Sequence, residues 1–138
     1  MVTAVIDTNV LVSAIVGHGK PRRLVLKLIE QHTVVTSTAM LAEFADVLAR
    51  DKFAEIKASQ INSLLAILAR KSVFVDVKQP LKLFAEDPDD DIVLTTVYEG
   101  KARYVVSGDK HLLGVKEFKG IKVVTVKDML QLLKNLKE

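Results

Sequence analysis

Four acidic residues stand where a metal site could be built. Asp7 directly follows the apolar run Val2–Ile6, and Asp109 follows Arg103–Ser107 after a single glycine. Asp90 lies in E86-D-P-D-D-D91, and Glu43 lies within T38-A-M-L-A-E-F-A-D-V-L-A-R50. Each has an ordinary structural explanation. Asp7 or Asn9 can accept from the backbone at a helix start. Asp109 can cap the helix after it, with Gly108 allowing a sharp turn. Asp87 with Asp90 three residues on is arranged like a capping box, and acids favour a helix N-terminus. Yet five acids in six residues exceed what capping needs. Like charges so close repel unless something cationic sits among them.

Helical periodicity separates the inward acids from the outward ones. On a helix over 38–50 the buried face centres on Met40, Phe44, Val47 and Leu48. Glu43 borders that stripe, where a carboxylate bends out to water or finds a partner or a metal. Asp46 falls nearly opposite, in solvent. On a helix starting near Pro88, Asp90 shares a face with Val93, Leu94 and Val97, while Asp89 and Asp91 project to either side. Asp90 is therefore the acid aimed inward.

The surrounding elements decide whether these acids meet. Val2–Ile6, Thr33–Thr36, Val73–Val77, Arg103–Ser107 and Ile121–Val126 read as five short strands rich in β-branched residues. Between them fall helices at Val10–Val16, from Pro21 to about Gln31, from a Ser37 or Thr38 cap to about Arg50, from Ser59 to about Lys71, from Asp87-Pro88 to Glu99, and at Lys110–Leu113. Gly100 is expected to stop the fifth of these. Asp51–Lys57 reads as a connector, and Lys127–Leu136 as a closing helix. The alternation implies one α/β domain over residues 1–138, with a five-stranded parallel sheet and helices on both faces. Ligands bind such sheets at the carboxyl ends of the strands. Asp7 and Asp109 both end strands and so emerge at that edge. Carboxylates converging there are costly without a cation. All-oxygen ligation suits Mg²⁺ or Mn²⁺ rather than zinc.

Composition narrows the alternatives. The 138 residues contain no cysteine, which excludes disulfides, thiolate zinc sites and a cysteine nucleophile. No apolar run approaches the roughly 20 residues of a membrane span, and the start resembles no signal peptide. A cytoplasmic protein with no membrane partner is the expectation. No phosphate-binding G-x-x-x-x-G-K-[ST] loop occurs. The formal net charge of +3 permits a polyanionic partner without demanding one. A phospho-acceptor signalling domain is one alternative. It would want paired acids after the first strand and an aspartate ending the third, where this sequence has D7-T-N9 and Val77.

With V5-I-D-T-N-V-L-V-S-A14, Glu43, D87-P-D-D-D-I-V-L94 and V105-V-S-G-D-K-H-L-L113 in view, the chain resembles the PIN-domain family. It is most similar to a branch of toxin components related to the VapC-type ribonucleases. The likeness spans nearly the whole sequence. It places the family's four acids on Asp7, Glu43, Asp90 and Asp109, its threonine or serine before the last acid on Ser107, and the polar residue after the first acid on Asn9. Val97 departs from the expected small alanine, which bears on packing more than on chemistry. The resemblance implies a three-layer α/β/α fold and Mg²⁺- or Mn²⁺-dependent hydrolysis of RNA. It also implies homodimers and a small antitoxin protein. Asp7, Asp90 and Asp109 are then the expected metal ligands, with Glu43 ligating through water or orienting the nucleophile. Lys20, Arg22, Arg23 and Lys110 would hold the RNA backbone, or be ordinary solvated charges. Aromatics at 5%, with no tryptophan, leave little for base stacking. A non-catalytic module of the same fold remains the other alternative, and such modules usually lack the acids.

Overall fold

The computed structural model describes residues 1–77 and 88–136, with the backbone alone for Pro88 and Asp89. Asp87, expected with Pro88 to open the acid-rich helix, lies outside the described residues, as does Glu86. In chain order the elements are β1 (Thr3–Ile6), α1 (Thr8–Val16), α2 (Lys20–Gln31), β2 (Thr33–Ser37), α3 (Thr38–Leu48), a 3₁₀ turn (Asp51–Phe53), α4 (Ala58–Lys71), β3 (Val73–Val75), α5 (Pro88–Glu99), β4 (Tyr104–Val106), α6 (Lys110–Val115), β5 (Glu117–Phe118), β6 (Ile121–Val124) and α7 (Val126–Asn135).

The sheet runs β3-β2-β1-β4-β6-β5. Five strands are parallel, as the alternating pattern requires, and β5 pairs antiparallel with β6. The sheet therefore has six strands, not five. The sixth is only two residues long, too short for a periodicity to register. It turns into β6 through Lys119 and Gly120, both at positive φ (48° and 81°), the backbone a two-residue hairpin needs.

Alternation along the strands divides the interior into two layers. Ala4, Ile6, Val34 and Val106 face Leu11, Leu24, Leu28, Phe44, Leu68, Met129 and Leu133, so α1, α2, α4 and α7 cover one side. Val5, Val35, Val105 and Val123 face Val93, Leu94, Val97 and Leu112, so α5 and α6 cover the other. Each fully buried Leu or Val contributes about 1.5–3 kcal/mol relative to exposure. The result is a three-layer α/β/α sandwich.

Helix α3 belongs to both layers. Ser37 caps it by accepting from Met40 N (3.2 Å). Met40 then packs in the α5 layer, whereas Phe44 and Leu48 pack in the α4 layer. The helix starts where β2 ends and crosses the carboxyl edge of the sheet. It is tied to α5 through Thr96, whose Oγ1 donates to Ile92 O (2.7 Å) and lies 3.1 Å from the Ser37 hydroxyl.

Gly100 ends α5 for a reason other than the left-handed backbone usual at helix ends. A Cβ there would overlap Val35 Cγ1 and stand 3.0 Å from Val75 Cγ2. The left-handed residue is Lys101, at φ 55°. Gly100 is needed because α5 closes directly onto β2 and β3.

Candidate active site

The strand order reverses next to β1. The chain builds outward from β1 to β2 and β3, then returns to place β4 on the other side of β1. Such a reversal leaves a crevice at the carboxyl ends of the two central strands, where open α/β sheets bind ligands. Asp7 ends β1, and Ser107 and Asp109 follow β4, so three of the polar residues singled out in the sequence meet at this point.

Their contacts fix them closely. Asp7 is 6% exposed. Its Oδ2 accepts from the buried Ser107 hydroxyl at 2.7 Å, and its Oδ1 accepts from Thr8 N at 2.8 Å. Its backbone N–H donates to Val106 O (2.9 Å), locking the end of β1 to β4. Ser107 Oγ in turn accepts from Asp109 N at 2.9 Å. Asp109 Oδ1 caps α6 by accepting from His111 N (2.8 Å). Asn9 Oδ1 accepts from Gly108 N (3.3 Å), holding the β4–α6 turn against α1. Capping and site formation are thus the same fact here. Asp7 and Asp109 cap their helices, and in doing so their carboxylates are held at the crevice.

All four acids line one hollow of about 440 Å³. Asp7 and Asp109 come from the strand ends, Asp90 from the first turn of α5 and the half-buried Glu43 from the middle of α3. Asp90 is 5% exposed and packs beside Val93, as the helical wheel expects. Asp91, expected at the flank, is equally buried at 6% but does not line the hollow. Asp46 is exposed.

Oxygen is the donor atom throughout, and the acids come from four separate elements. That chemistry fits Mg²⁺ or Mn²⁺, which need few carboxylates and keep several waters. Among the described residues no group of three or more His, Asp or Glu side chains lies close enough together to hold a metal ion.

The expected basic residues stand elsewhere. Arg22 closes the end of α1: Nε donates to Ala14 O (2.8 Å), Nη2 to Ile15 O (3.1 Å), and Nη1 contacts His18 Nδ1. Lys20 and Arg23 line a separate cleft between α2 and α7. Lys110 is exposed at the start of α6 and is not part of the acidic hollow's lining. Among the described residues the cations that do line the hollow are Arg50 and Lys52, with Lys52 Nζ 5.0 Å from the centre of the Phe53 ring. Sequence reasoning passed over both, since they fall at a helix end and in a connector. Helical spacing held a usable signal for one of them: Glu43, Val47 and Arg50 fall at i, i+4 and i+7, and all three line the hollow.

Comparison with known proteins bears on this geometry. A family model described as PIN domain matches residues 3–111, from β1 into α6, and the matched stretch contains all four acids of the hollow. The chain belongs to the PIN domain family. This PIN domain is also 29% identical, over 120 residues, to an uncharacterised protein of Methanocaldococcus jannaschii, covering 84% of this chain and 76% of that one. Its fold is similar to that of a chain in the crystal structure of VapBC2 from Rickettsia felis bound to a DNA fragment from their promoter. There the TM-score is 0.59 and the identity 17%, over 89% of this chain and 98% of that one. The sheet order of this PIN domain also differs from the 2-1-3-4-5 order of phospho-acceptor domains, which removes that alternative. No helix among the described residues is long and apolar enough to cross a membrane.

Proposed function

We propose that this PIN domain is a Mg²⁺- or Mn²⁺-dependent endoribonuclease, acting as the toxin of a toxin–antitoxin pair. The observation that carries the reading is the meeting of Asp7, Glu43, Asp90 and Asp109, from four separate elements, in one hollow at the sheet's reversal point. PIN family membership supports nuclease chemistry, and the fold shared with the VapBC2 chain supports the toxin assignment.

A substrate phosphodiester is already negative, so carboxylates alone would repel it. A divalent ion bound there would polarise a phosphoryl oxygen and lower the pKa of a coordinated water. Asp7, Asp90 and Asp109 are the residues to hold it, directly or through water. Ser107 keeps the Asp7 carboxylate in one orientation by donating to Oδ2. Glu43, across the hollow on α3, would ligate the ion through water or orient the attacking water. Arg50 and Lys52 offset the charge of the phosphates flanking the scissile bond.

The test is cleavage of a labelled single-stranded RNA with Mn²⁺, with and without chelator, by the parent chain and by Asp7→Asn. The proposal expects cleavage that stops on chelation, returns with added Mn²⁺ and is lost in Asp7→Asn without change in the circular dichroism spectrum. Chelator-resistant cleavage, or an Asp7→Asn variant as fast as the parent, would refute it. RNA binding without cleavage would indicate the non-catalytic alternative.

A further inference from the structure

We propose that the cleft between α2 and α7 is a second RNA-binding site, which grips the phosphate backbone outside the acidic hollow. The choice of RNA as the polyanion rests on the ribonuclease reading. The cleft itself does not.

The cleft, of about 350 Å³, is lined by Lys20, Arg23 and Lys27 from α2 and by Lys127 and Lys134 from α7, with Leu130 and Gln131 between them. Among the described residues no acid lines it, although Glu30 and Asp128 lie on the same two helices. The α2 cations fall at i, i+3 and i+7, which places them in one row on the helix face. Lys127 and Lys134, seven residues apart, form the opposing row. Each row spans about 10 Å at 1.5 Å per residue. That length faces about three phosphates of a strand carrying one charge per ~3.4 Å.

The two rows are held in place from beneath. Leu24 and Leu28 of α2 and Met129 and Leu133 of α7 are buried in the same core. That shared core holds the helices together against the repulsion between their cations. No described carboxylate pairs with any of the five. Two fixed rows of like charge facing one cleft favour a polyanion, and the rows can follow a strand that a single cation could not. Among the described lining residues Leu130 is the one apolar side chain, which leaves little to anchor a peptide's side chains. None of the seven residues lines the acidic hollow, so RNA gripped here would be held by contacts additional to those at the scissile bond.

The experiment measures binding of a labelled 20-nucleotide single-stranded RNA in chelator, where cleavage is suppressed, across a salt series. It compares the parent with Arg23→Gln/Lys127→Gln/Lys134→Gln, three positions exposed on the helix surfaces. The proposal expects the slope of log K against log salt to fall by about 2, from about 0.7 per lost contact, with affinity at least about tenfold weaker at low salt. Lys134→Gln alone should lower the slope by about 0.7, so the reading does not depend on the triple variant folding. An unchanged slope and affinity in both variants would overturn it. Polyglutamate that competes with the RNA at equal charge concentration would also overturn it, assigning the cleft to an acidic protein partner. If the parent never cleaves RNA yet the slope falls as expected, the cleft stands and the ribonuclease reading falls. If the parent cleaves but the slope does not move, the reverse holds.

Discussion

Removing one hydroxyl, that of Ser107, should disable the centre without touching a proposed ligand. Ser107 is fully buried, and its Oγ makes two hydrogen bonds. It donates to Asp7 Oδ2 at 2.7 Å and accepts from Asp109 N at 2.9 Å. The first is a short bond to a carboxylate, of the kind that contributes about 1.5–3 kcal/mol when one partner is charged. Ser107→Ala should therefore lower the melting temperature in chelator by roughly 5–10 °C for a domain of this size. Asp7 then loses the bond that orients Oδ2, while Thr8 N still donates to Oδ1. Loss of such an orienting partner typically weakens metal affinity or activity by about 10–100-fold. The Mn²⁺ concentration for half-maximal RNA cleavage should rise by that factor. Ser107→Thr retains the hydroxyl and should recover most of the Mn²⁺ response even if its extra methyl lowers stability. The assays are thermal melting in chelator and a Mn²⁺ titration of cleavage. If Ser107→Ala melts within a degree of the parent and responds to the same Mn²⁺ concentrations, this bond does not orient Asp7 and the reasoning fails.

Other expectations follow from the same contacts. Asp46→Asn, on the exposed face of α3, should leave stability within about 0.5 kcal/mol and cleavage unchanged, whereas Glu43→Gln on the hollow face should slow cleavage at least about tenfold. Equal effects in the two variants would mean that α3 is rotated from the position described. Gly100→Ala should destabilise the domain by about 1–3 kcal/mol in urea unfolding, because its methyl would drive into Val35; a neutral substitution would contradict the close approach of α5 to the sheet. Stability should also fall as pH drops below about 6.5. Burial, then the N-terminal ammonium and Lys27, hold the His32 pKa below its ordinary value, and Nδ1 accepts from Val2 N at 2.9 Å. The unfolded chain therefore takes up a proton below that pH that the native state resists. Urea midpoints of the parent and His32→Gln between pH 7.5 and 5.5 test this, with the variant expected to lose less; identical losses would refute it.

Much of this architecture was readable from the residues. Short β-branched runs alternating with amphipathic helices imply a parallel sheet, and acids at strand ends on such a sheet must share an edge. Periodicity also placed Asp90 on the inward face of α5 with Val93, Leu94 and Val97, and Asp90 is buried there. It did not foresee the burial of Asp91, which depends on what packs against the flank of α5. The strand β5 escaped because two residues carry no alternation, although Lys119-Gly120 is a hairpin signal. The positions of the basic residues relative to the hollow were the least legible. Lys20, Arg22 and Arg23 follow α1 in sequence, but α1 runs away from the acids, so its far end carries them to other surfaces. Arg22 is occupied by the carbonyls of Ala14 and Ile15, and Lys20 and Arg23 by position join α7 instead. Arg50 was signalled only by its helical spacing from Glu43 and Val47, and Lys52, in the 3₁₀ turn beyond α3, by no local pattern.

The most direct measurement is the anomalous scattering of crystals grown with Mn²⁺. The account predicts a peak in the hollow among Asp7, Asp90 and Asp109, with at least one of these carboxylates in contact and Glu43 facing the ion or its water. A peak elsewhere on the molecule, or none at millimolar Mn²⁺ with the four carboxylates each satisfied by protein cations, would contradict it.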